Sequence, residues 1–404
     1  ITGEAIAGMT ESALAMHGCD VVDLGIVPTP TVQVMVEHAG AAGGIVVSAS
    51  HNPIEWNAFK LIGKSGSFLG QKEIGKFFAL MEREHQSKKW NSTGRITSRD
   101  DAADIHIGKV LRTVDAGKIS GRRFRVALDS VNGAGSVITR DLLSRLGCEV
   151  IPVHCEINGT FPRGAEPLAE NLVDLCAGVR DSGADIGFAQ DPDADRLAIV
   201  DELGNPIGEE YTLALVTEHL LSKKPGRVVV NLSTTRAIED IAKRHNSPFT
   251  RTKVGEINVV ERMRRLGARI GGEGNGGVIA PDVHLGRDSL AGISYVLEMM
   301  ARRGETVSRL VESLPRYVMK KGKVVLATGI DTVSILAGIR ADFRKERISD
   351  IDGLRIDFVT GGPFRGGWMH LRSSNTEPIF RIIAEGRDTG HADSIYRHFS
   401  GLFR

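Results

Sequence analysis

Asp191, Asp193 and Asp195 alternate within five residues of the stretch GFAQDPDADRLAIVDE (187–202), between two apolar runs. Three carboxylates this close repel one another unless something positive sits among them, and a divalent cation is the natural compensation. Oxygen donors favour Mg2+, Ca2+ or Mn2+ over softer metals. A calcium-binding helix–loop–helix reading begins well, because Asp191 at position 1 places Glu202 at position 12. It fails at Arg196, where glycine is required, at Pro192, and at the strand-like flanks. The plain alternative is a solvated acidic turn.

Three further loops carry chemistry-bearing residues. In GGIVVSASHNP (43–53) an apolar run gives way to small polar residues and His51. A phosphoryl group on Ser50 would be mostly dianionic at neutral pH and would need a cation and donors beside it. The continuation IEWNAFK places Lys60 ten residues on, a compact positive charge suited to proton transfer or phosphate binding. An ordinary serine turn is the alternative. In GGEGNGG (271–277), Glu273 and Asn275 sit in a glycine frame that could read sugar hydroxyls. A dinucleotide G-x-G-x-x-G reading has the wrong spacing, and Val278-Ile279-Ala280-Pro281 follows where a helix should open. A plain glycine turn remains open. His284, seven residues beyond Gly277, reads as a surface histidine. In RSSNTEPIFRIIAE (372–385), Arg372, Ser373, Ser374, Asn375 and Thr376 form a phosphate-binding composition, with Arg381 as a second positive charge. A capping turn would explain the serines and Asn375 but not Arg372.

These loops need a scaffold, and the rest of the chain supplies one. Apolar runs alternate with helical segments, which argues for sheets with helices on their faces. Strand signals fall at 20–27, 44–48, 123–130, 149–154, 184–189 and 227–233, with helices near 4–17, 31–38, 136–146, 168–181 and 235–244. The turn-rich 83–101 reads as surface. Three α/β units and a smaller α+β unit divide the chain at about 1–115, 116–220, 221–316 and 317–404. No strict repeat is visible, but the units share a plan in which an apolar strand runs into a Gly- or Asp-rich loop. Ligands in such sheets bind beyond the carboxyl ends of the strands.

Composition narrows the function. The chain has 404 residues, a net charge of +1 and 5% aromatics, so neither a global field nor a stacking platform recruits nucleic acid or an anionic membrane. Cys19, Cys148, Cys155 and Cys176 form no C-x-x-C pair and have no neighbouring histidine cluster of zinc spacing, which argues against a structural zinc site and suits reduced thiols in a cytoplasmic enzyme. No apolar run approaches the roughly 18 residues that span a bilayer. The start lacks a secretory pattern. It also opens in a helix-like pattern without Met, so further N-terminal residues are expected.

Taken in order, SASHNP…WNAFK, DPDADR, GEGNGG and RSSNTEP, with FPRGAEPLAENL (161–172) and TKVGE (252–256), resemble the α-D-phosphohexomutases. The resemblance implies an α/β protein of three consecutive α/β domains with mixed or parallel sheets plus a smaller C-terminal α+β domain. A central cleft takes one loop from each. It implies that Ser50 is a phosphoserine and that Mg2+ is held by its phosphate with Asp191, Asp193 and Asp195. His51 and Lys60 would assist proton transfer, with Arg196 beside the metal loop. Glu273 and Asn275 would read sugar hydroxyls, while Arg372, Ser374, Asn375, Thr376 and Arg381 hold the idle phosphate. The implied reaction interconverts hexose 6- and 1-phosphates through a bisphosphorylated sugar, with hexose 1,6-bisphosphate as activator. The partner is a small phosphosugar, and the enzyme is a monomer or homodimer.

Two departures stand out. Many relatives carry G-E-x-S-G-H in the sugar loop, where this chain has Asn275 and Gly277. That form resembles the branch acting on glucosamine phosphate, with mannose and glucose phosphates as alternatives. The family's G-x-D-x-R-x-S-G segment would precede or overlap Ile1-Thr2-Gly3-Glu4, and its Arg is absent. An aspartyl phosphatase or mutase using Asp191 competes on its Asp-x-Asp pattern, although Asp195 stands where that chemistry has Thr. A phosphosugar-binding protein without turnover is the non-enzymatic alternative.

Overall fold

Strands covered on both faces must be apolar almost without interruption. Arg125–Asp129, Ile186–Gln190, Leu197–Val200 and Val228–Asn231 are buried nearly throughout, as this requires. The computed structural model describes residues 2–52, 54–325, 332–373 and 379–403.

In the second unit the strand order is Glu149–Val153, Arg125–Asp129, Ile186–Gln190, Leu197–Val200. The first three run parallel and the fourth turns back antiparallel. The third unit repeats this plan with Phe249–Thr252, Val228–Asn231, Ile270–Glu273 and the antiparallel Gly277–Ile279. In the first unit Gly43–Val47 pairs antiparallel with Phe59–Gly63, and Val21–Asp23 pairs parallel with Ile96–Ser98. The fourth is a five-stranded antiparallel sheet ordered Val318–Val325, Ile379–Gly386, Trp368–Ser373, Leu354–Asp357, Arg347–Ser349.

All four candidate loops therefore occupy one topological position. Each is the turn between two antiparallel neighbours, and in the second and third units it leaves the carboxyl end of the last parallel strand. The shared plan seen in the sequence is this hairpin, repeated.

Two details differ from the sequence reading. The strand expected over 20–27 is only Val21–Asp23, and Gly25 at φ 65° follows it. Its partner Ile96–Ser98 lies inside the stretch read as surface. All three of its residues are exposed, Ile96 included, so pairing rather than an apolar alternation marks it as a strand.

Helices Glu209–Lys223 and Ser289–Arg303 are buried along most of their length and pack against each other. They share one apolar core with the sheets of the second and third units. The fourth unit has its own core, built from Ile356, Phe358, Met369, Leu371, Phe380 and Phe399. Among the described residues no helix is long and apolar enough to cross a membrane.

Glu298 ties the central helices together from a fully buried position. His219 Nε2 and Lys223 Nζ lie 2.6 and 2.8 Å from its Oε2, while Arg302 Nε and the Asp115 amide donate to Oε1 at 3.0 and 3.1 Å. Burial pushes this carboxyl up, but the donors, led by His219 and Lys223, outweigh it and hold it well below the usual range. Its stabilisation is complete above the unfolded value of about 4.5 and fades as the pH falls. We predict that Glu298→Gln lowers stability by about 3 kcal/mol at neutral pH. Urea unfolding should show the gap to the parent narrowing at acid pH.

Candidate active site

Ser50 sits where the strand Gly43–Val47 has ended, with φ at 51° in the left-handed region. A non-glycine residue there is strained, and such strain collects at functional turns. The Ser48 hydroxyl accepts the Ser50 amide at 2.9 Å and helps hold the turn. This aims Ser50 Oγ at Asp191, to whose Oδ2 it donates at 3.3 Å.

The acidic loop is fully inside the protein. Asp191, Asp193 and Asp195 are at most 3% exposed. Asp191 Oδ1 accepts the amides of Asp195 and Arg196, both at 3.1 Å, while Ala194 adopts φ 54°. Lys60 bonds Asp193 and reaches Asp195 Oδ2 at 3.0 Å. Thr29 also bonds the Asp193 side chain, and its amide donates to the Asp193 carbonyl at 3.0 Å. One oxygen each of Asp193 and Asp195, the Oδ1 atoms, is buried without a hydrogen-bond partner. The three carboxylates converge closely enough to share one cation. These hard, orphaned acceptors fit Mg2+ or a similar ion.

Electrostatics separate the groups. Burial, reinforced by Asp195 and Asp193, pushes Asp191 well above the carboxylate range. Burial pushes Asp195 the same way, but Arg287, Lys60 and Arg196 outweigh it and hold it ionised. Burial alone would lower Lys60; Asp195 and Asp193 reverse this and keep it firmly cationic. His51 is lowered by burial and by Arg196, so it is neutral at physiological pH. Its Nδ1 lies 2.9 Å from Arg196 Nη2 and 3.5 Å from Ser50 Oγ, so the neutral ring accepts from the guanidinium. The other arm of Arg196 bonds Glu166.

Arg287, which the sequence reading passed over, joins the second and third loops. Its Nη2 donates to Asp195 at 2.7 Å, its Nη1 to Glu273 at 3.0 Å, and its Nε lies 3.0 Å from Glu256. Glu273 Oε1 also takes Asn231 Nδ2 and the Gly255 amide, at 2.8 and 2.9 Å. Both Glu273 oxygens are thus engaged by the protein, whereas Asn275 Oδ1 is buried with no partner. The loop has no room for side chains at its glycines: a Cβ on Gly274 would meet the Glu210 carboxylate at 2.0 Å, and one on Gly276 the Leu197 carbonyl at 2.2 Å. An open pocket runs beside Ser50, His51, Lys60, Arg196 and Arg287.

In the fourth unit Arg372 pairs across the ladder with Arg381, and Arg381 with Lys323. Residues directly opposed share a face, so three cations line up, an arrangement that costs energy without an anion. Arg372 Nε donates to Asp352 at 3.2 Å, and Asp352 also accepts the amide of Val254, at 2.9 Å. Ser374, Asn375 and Thr376 lie outside the described residues.

The structure thus brings Ser50, His51, Lys60, Arg196 and the three aspartates together, with Glu273 joined through Arg287. Thr29 was legible only as a loop breaker between two prolines, and Arg287 only as the Arg-Asp pair ahead of a helix. Lys323 gave no signal at all. His284 is not a surface residue as its sequence position suggested. It is 4% exposed, because its loop folds under the first unit.

Comparison with known proteins places these observations. The phosphoglucomutase/phosphomannomutase family profiles match as alpha/beta/alpha domain I over residues 1–88, domain II over 104–204 and domain III over 209–317. A Thermococcus kodakarensis protein named "Phosphoglucomutase/phosphomannomutase" is 37% identical over 96% of this chain and 84% of its own. A Methanopyrus kandleri protein named "Probable phosphoglucosamine mutase" is 32% identical over 99% and 87%. Among solved structures, a phosphoglucomutase/phosphomannomutase family protein from Burkholderia thailandensis superposes with a TM-score of 0.82 at 27% identity, covering 99% of this chain and 86% of that one.

Removing Arg287 would leave Asp195, Glu256 and Glu273 buried without their shared cation. We expect Arg287→Met to cost about 3–5 kcal/mol in chemical unfolding. Turnover per KM should fall on the order of 10²-fold through misplacement of the loops. Arg287→Lys keeps the charge but not the three-way fork, so it should recover stability only in part.

Proposed function

Because the chain belongs to the α-D-phosphohexomutase family and is a phosphohexomutase, we propose that phospho-Ser50 carries its phosphoryl group and that glucosamine 6-phosphate and 1-phosphate are its substrate pair. The observation that carries the reading is Ser50 Oγ at 3.3 Å from Asp191, in a left-handed turn over three convergent buried carboxylates. The four-unit division of the chain goes with this reading, as do a cytoplasmic location and hexose 1,6-bisphosphate as activator.

In the first half-reaction a free hydroxyl of the sugar monophosphate attacks phosphorus, the P–Oγ bond to Ser50 breaks as the new P–O bond forms, and the hydroxyl's proton ends on the departing Ser50 oxygen. The bisphosphorylated sugar then turns over and returns its other phosphate to Ser50. Bound at Asp191, Asp193 and Asp195, Mg2+ would supply charge neutralisation on the moving group. Lys60, kept cationic by its aspartates, serves as an electrostatic partner for the transferring phosphoryl group. His51, neutral and anchored by Arg196, stands beside the Ser50 oxygen. Asn275 offers its free acceptor to a sugar hydroxyl or amine, and Glu273 orients Arg287. Arg372, Arg381 and Lys323 hold the idle phosphate, with Ser374, Asn375 and Thr376 completing that loop. The Asn275 form of the sugar loop supports glucosamine phosphate; the Thermococcus relative's name supports glucose and mannose phosphates as the alternative. An aspartyl nucleophile is disfavoured because Asp191 is fully buried, with Oδ1 on two amides and Oδ2 on Ser50.

Two experiments test this. Phosphosite mapping should find acid-stable, alkali-labile phosphate on Ser50, and Ser50→Ala should abolish turnover of all three sugar phosphates. Of these, glucosamine 6-phosphate should have the highest kcat/KM with Mg2+ and catalytic bisphosphate; a preference for glucose or mannose 1-phosphate would overturn the substrate assignment alone. Lys323→Ala should raise KM about tenfold, the loss of one charge-assisted phosphate contact, with a smaller effect on kcat.

A further inference from the structure

We propose that His106, His284 and Asp288 form a second metal site, suited to Zn2+, that fastens the helix Ala102–Leu111 to the third unit. It is separate from the aspartate group and does not depend on the mutase reading. His106 comes from the helix Ala102–Leu111, and Asp288 caps the helix Ser289–Arg303. His284 lies in the loop just before that cap. All three are buried, and their donor atoms converge within reach of one ion.

The pieces are oriented as ligands are. His106 Nε2 lies 2.9 Å from Asp288 Oδ2, and His284 Nε2 lies 3.4 Å from the same oxygen. Neighbouring ligands of a tetrahedral zinc stand about 3.4 Å apart, given bonds near 2.1 Å. The far side of each outer group is fixed by a partner. Thr31 Oγ1 sits 2.9 Å from His106 Nδ1, the kind of second contact that sets a metal-binding imidazole's tautomer. Asp288 Oδ1 accepts the amides of Leu290 and Ala291 at 2.9 and 3.3 Å, leaving Oδ2 for the cluster.

His284 supplies the independent observation. Its Nδ1 has no partner and its Nε2 makes no aligned hydrogen bond, only the 3.4 Å approach to Asp288, although the side chain is 1% exposed. A buried polar ring left so costs free energy that a coordinate bond would recover. A further orphan lies close by: Gln33 Oε1 is buried without a partner. It lies 2.3 Å, and His284 Cε1 2.7 Å, from where a Cβ would stand on Gly286. Two imidazoles and a carboxylate suit zinc better than the Mg2+ expected at the all-carboxylate site. An ion here would bridge two sequence-distant helices and steady Asp288, whose neighbour Arg287 grips Asp195.

The test uses the full chain, stripped with a chelator, saturated with Mg2+ and titrated with ZnCl2 alone or CoCl2 alone. We expect one equivalent of Zn2+ retained through gel filtration, a tetrahedral Co2+ visible spectrum, and a higher Tm with Zn2+. His284→Gln, which leaves the His106–Asp288 contact and the helix cap in place, should weaken retention more than tenfold. Thr31→Val, nearly isosteric, should weaken it about tenfold by freeing the His106 ring. Asp193→Asn should retain zinc as the parent does. The proposal is overturned if no zinc is retained, if both His284→Gln and Thr31→Val retain it unchanged, or if Asp193→Asn is the variant that loses it.

Discussion

Charge balance in a buried space governs this molecule. Asp191, Asp193, Asp195, Glu256 and Glu273 are all buried beside the open pocket, answered by Lys60, Arg287 and Arg196. Burial makes each uncompensated charge expensive, so no one of these residues is stable in its ionised form without another from a different part of the chain. Lys60 comes from the first unit, the aspartates and Arg196 from the second, Arg287 and the glutamates from the third. The three units are therefore held in register by electroneutrality as well as by their apolar core.

The scaffold meets this demand by repetition. One device, a strand that ends and turns back antiparallel, presents the serine, the carboxylates, the glycine-framed loop and the cationic row. Each loop keeps its own chemistry because the strands beneath it carry the packing. The glycines of the third loop are fixed by what lies against them, the Glu210 carboxylate and the Leu197 carbonyl, and so they answer to neighbours in other elements rather than to a ligand alone.

What could be read from the sequence follows from range. The aspartates announce themselves through local spacing, Ser50 and Lys60 only through the ordered loops of the family resemblance, and the buried parallel strands through unbroken apolar runs. Ile96–Ser98 could not be read this way, since an exposed strand is defined by the partner it meets. Arg287 and Thr29 escaped for a related reason: each acts on a carboxylate roughly a hundred residues or more away, and nothing in its own neighbourhood records that. His284 was misplaced because a histidine near a glycine loop looks exposed until the first unit covers it. The row Lys323–Arg381–Arg372 is a property of ladder register, which no single strand contains.

The fourth unit's separate core has a thermodynamic consequence. Its phenylalanines pack among themselves, while its border with the third unit is polar: Arg236 donates to Gly366 O and Asp357, the Val254 amide to Asp352, and Ser233 meets His370. A unit with its own core and a polar border can melt as a cooperative block while the remainder stays native. Heat capacity traces of such a molecule resolve into more than one peak, and amide protons of the C-terminal strands exchange on a different clock from those of the shared core.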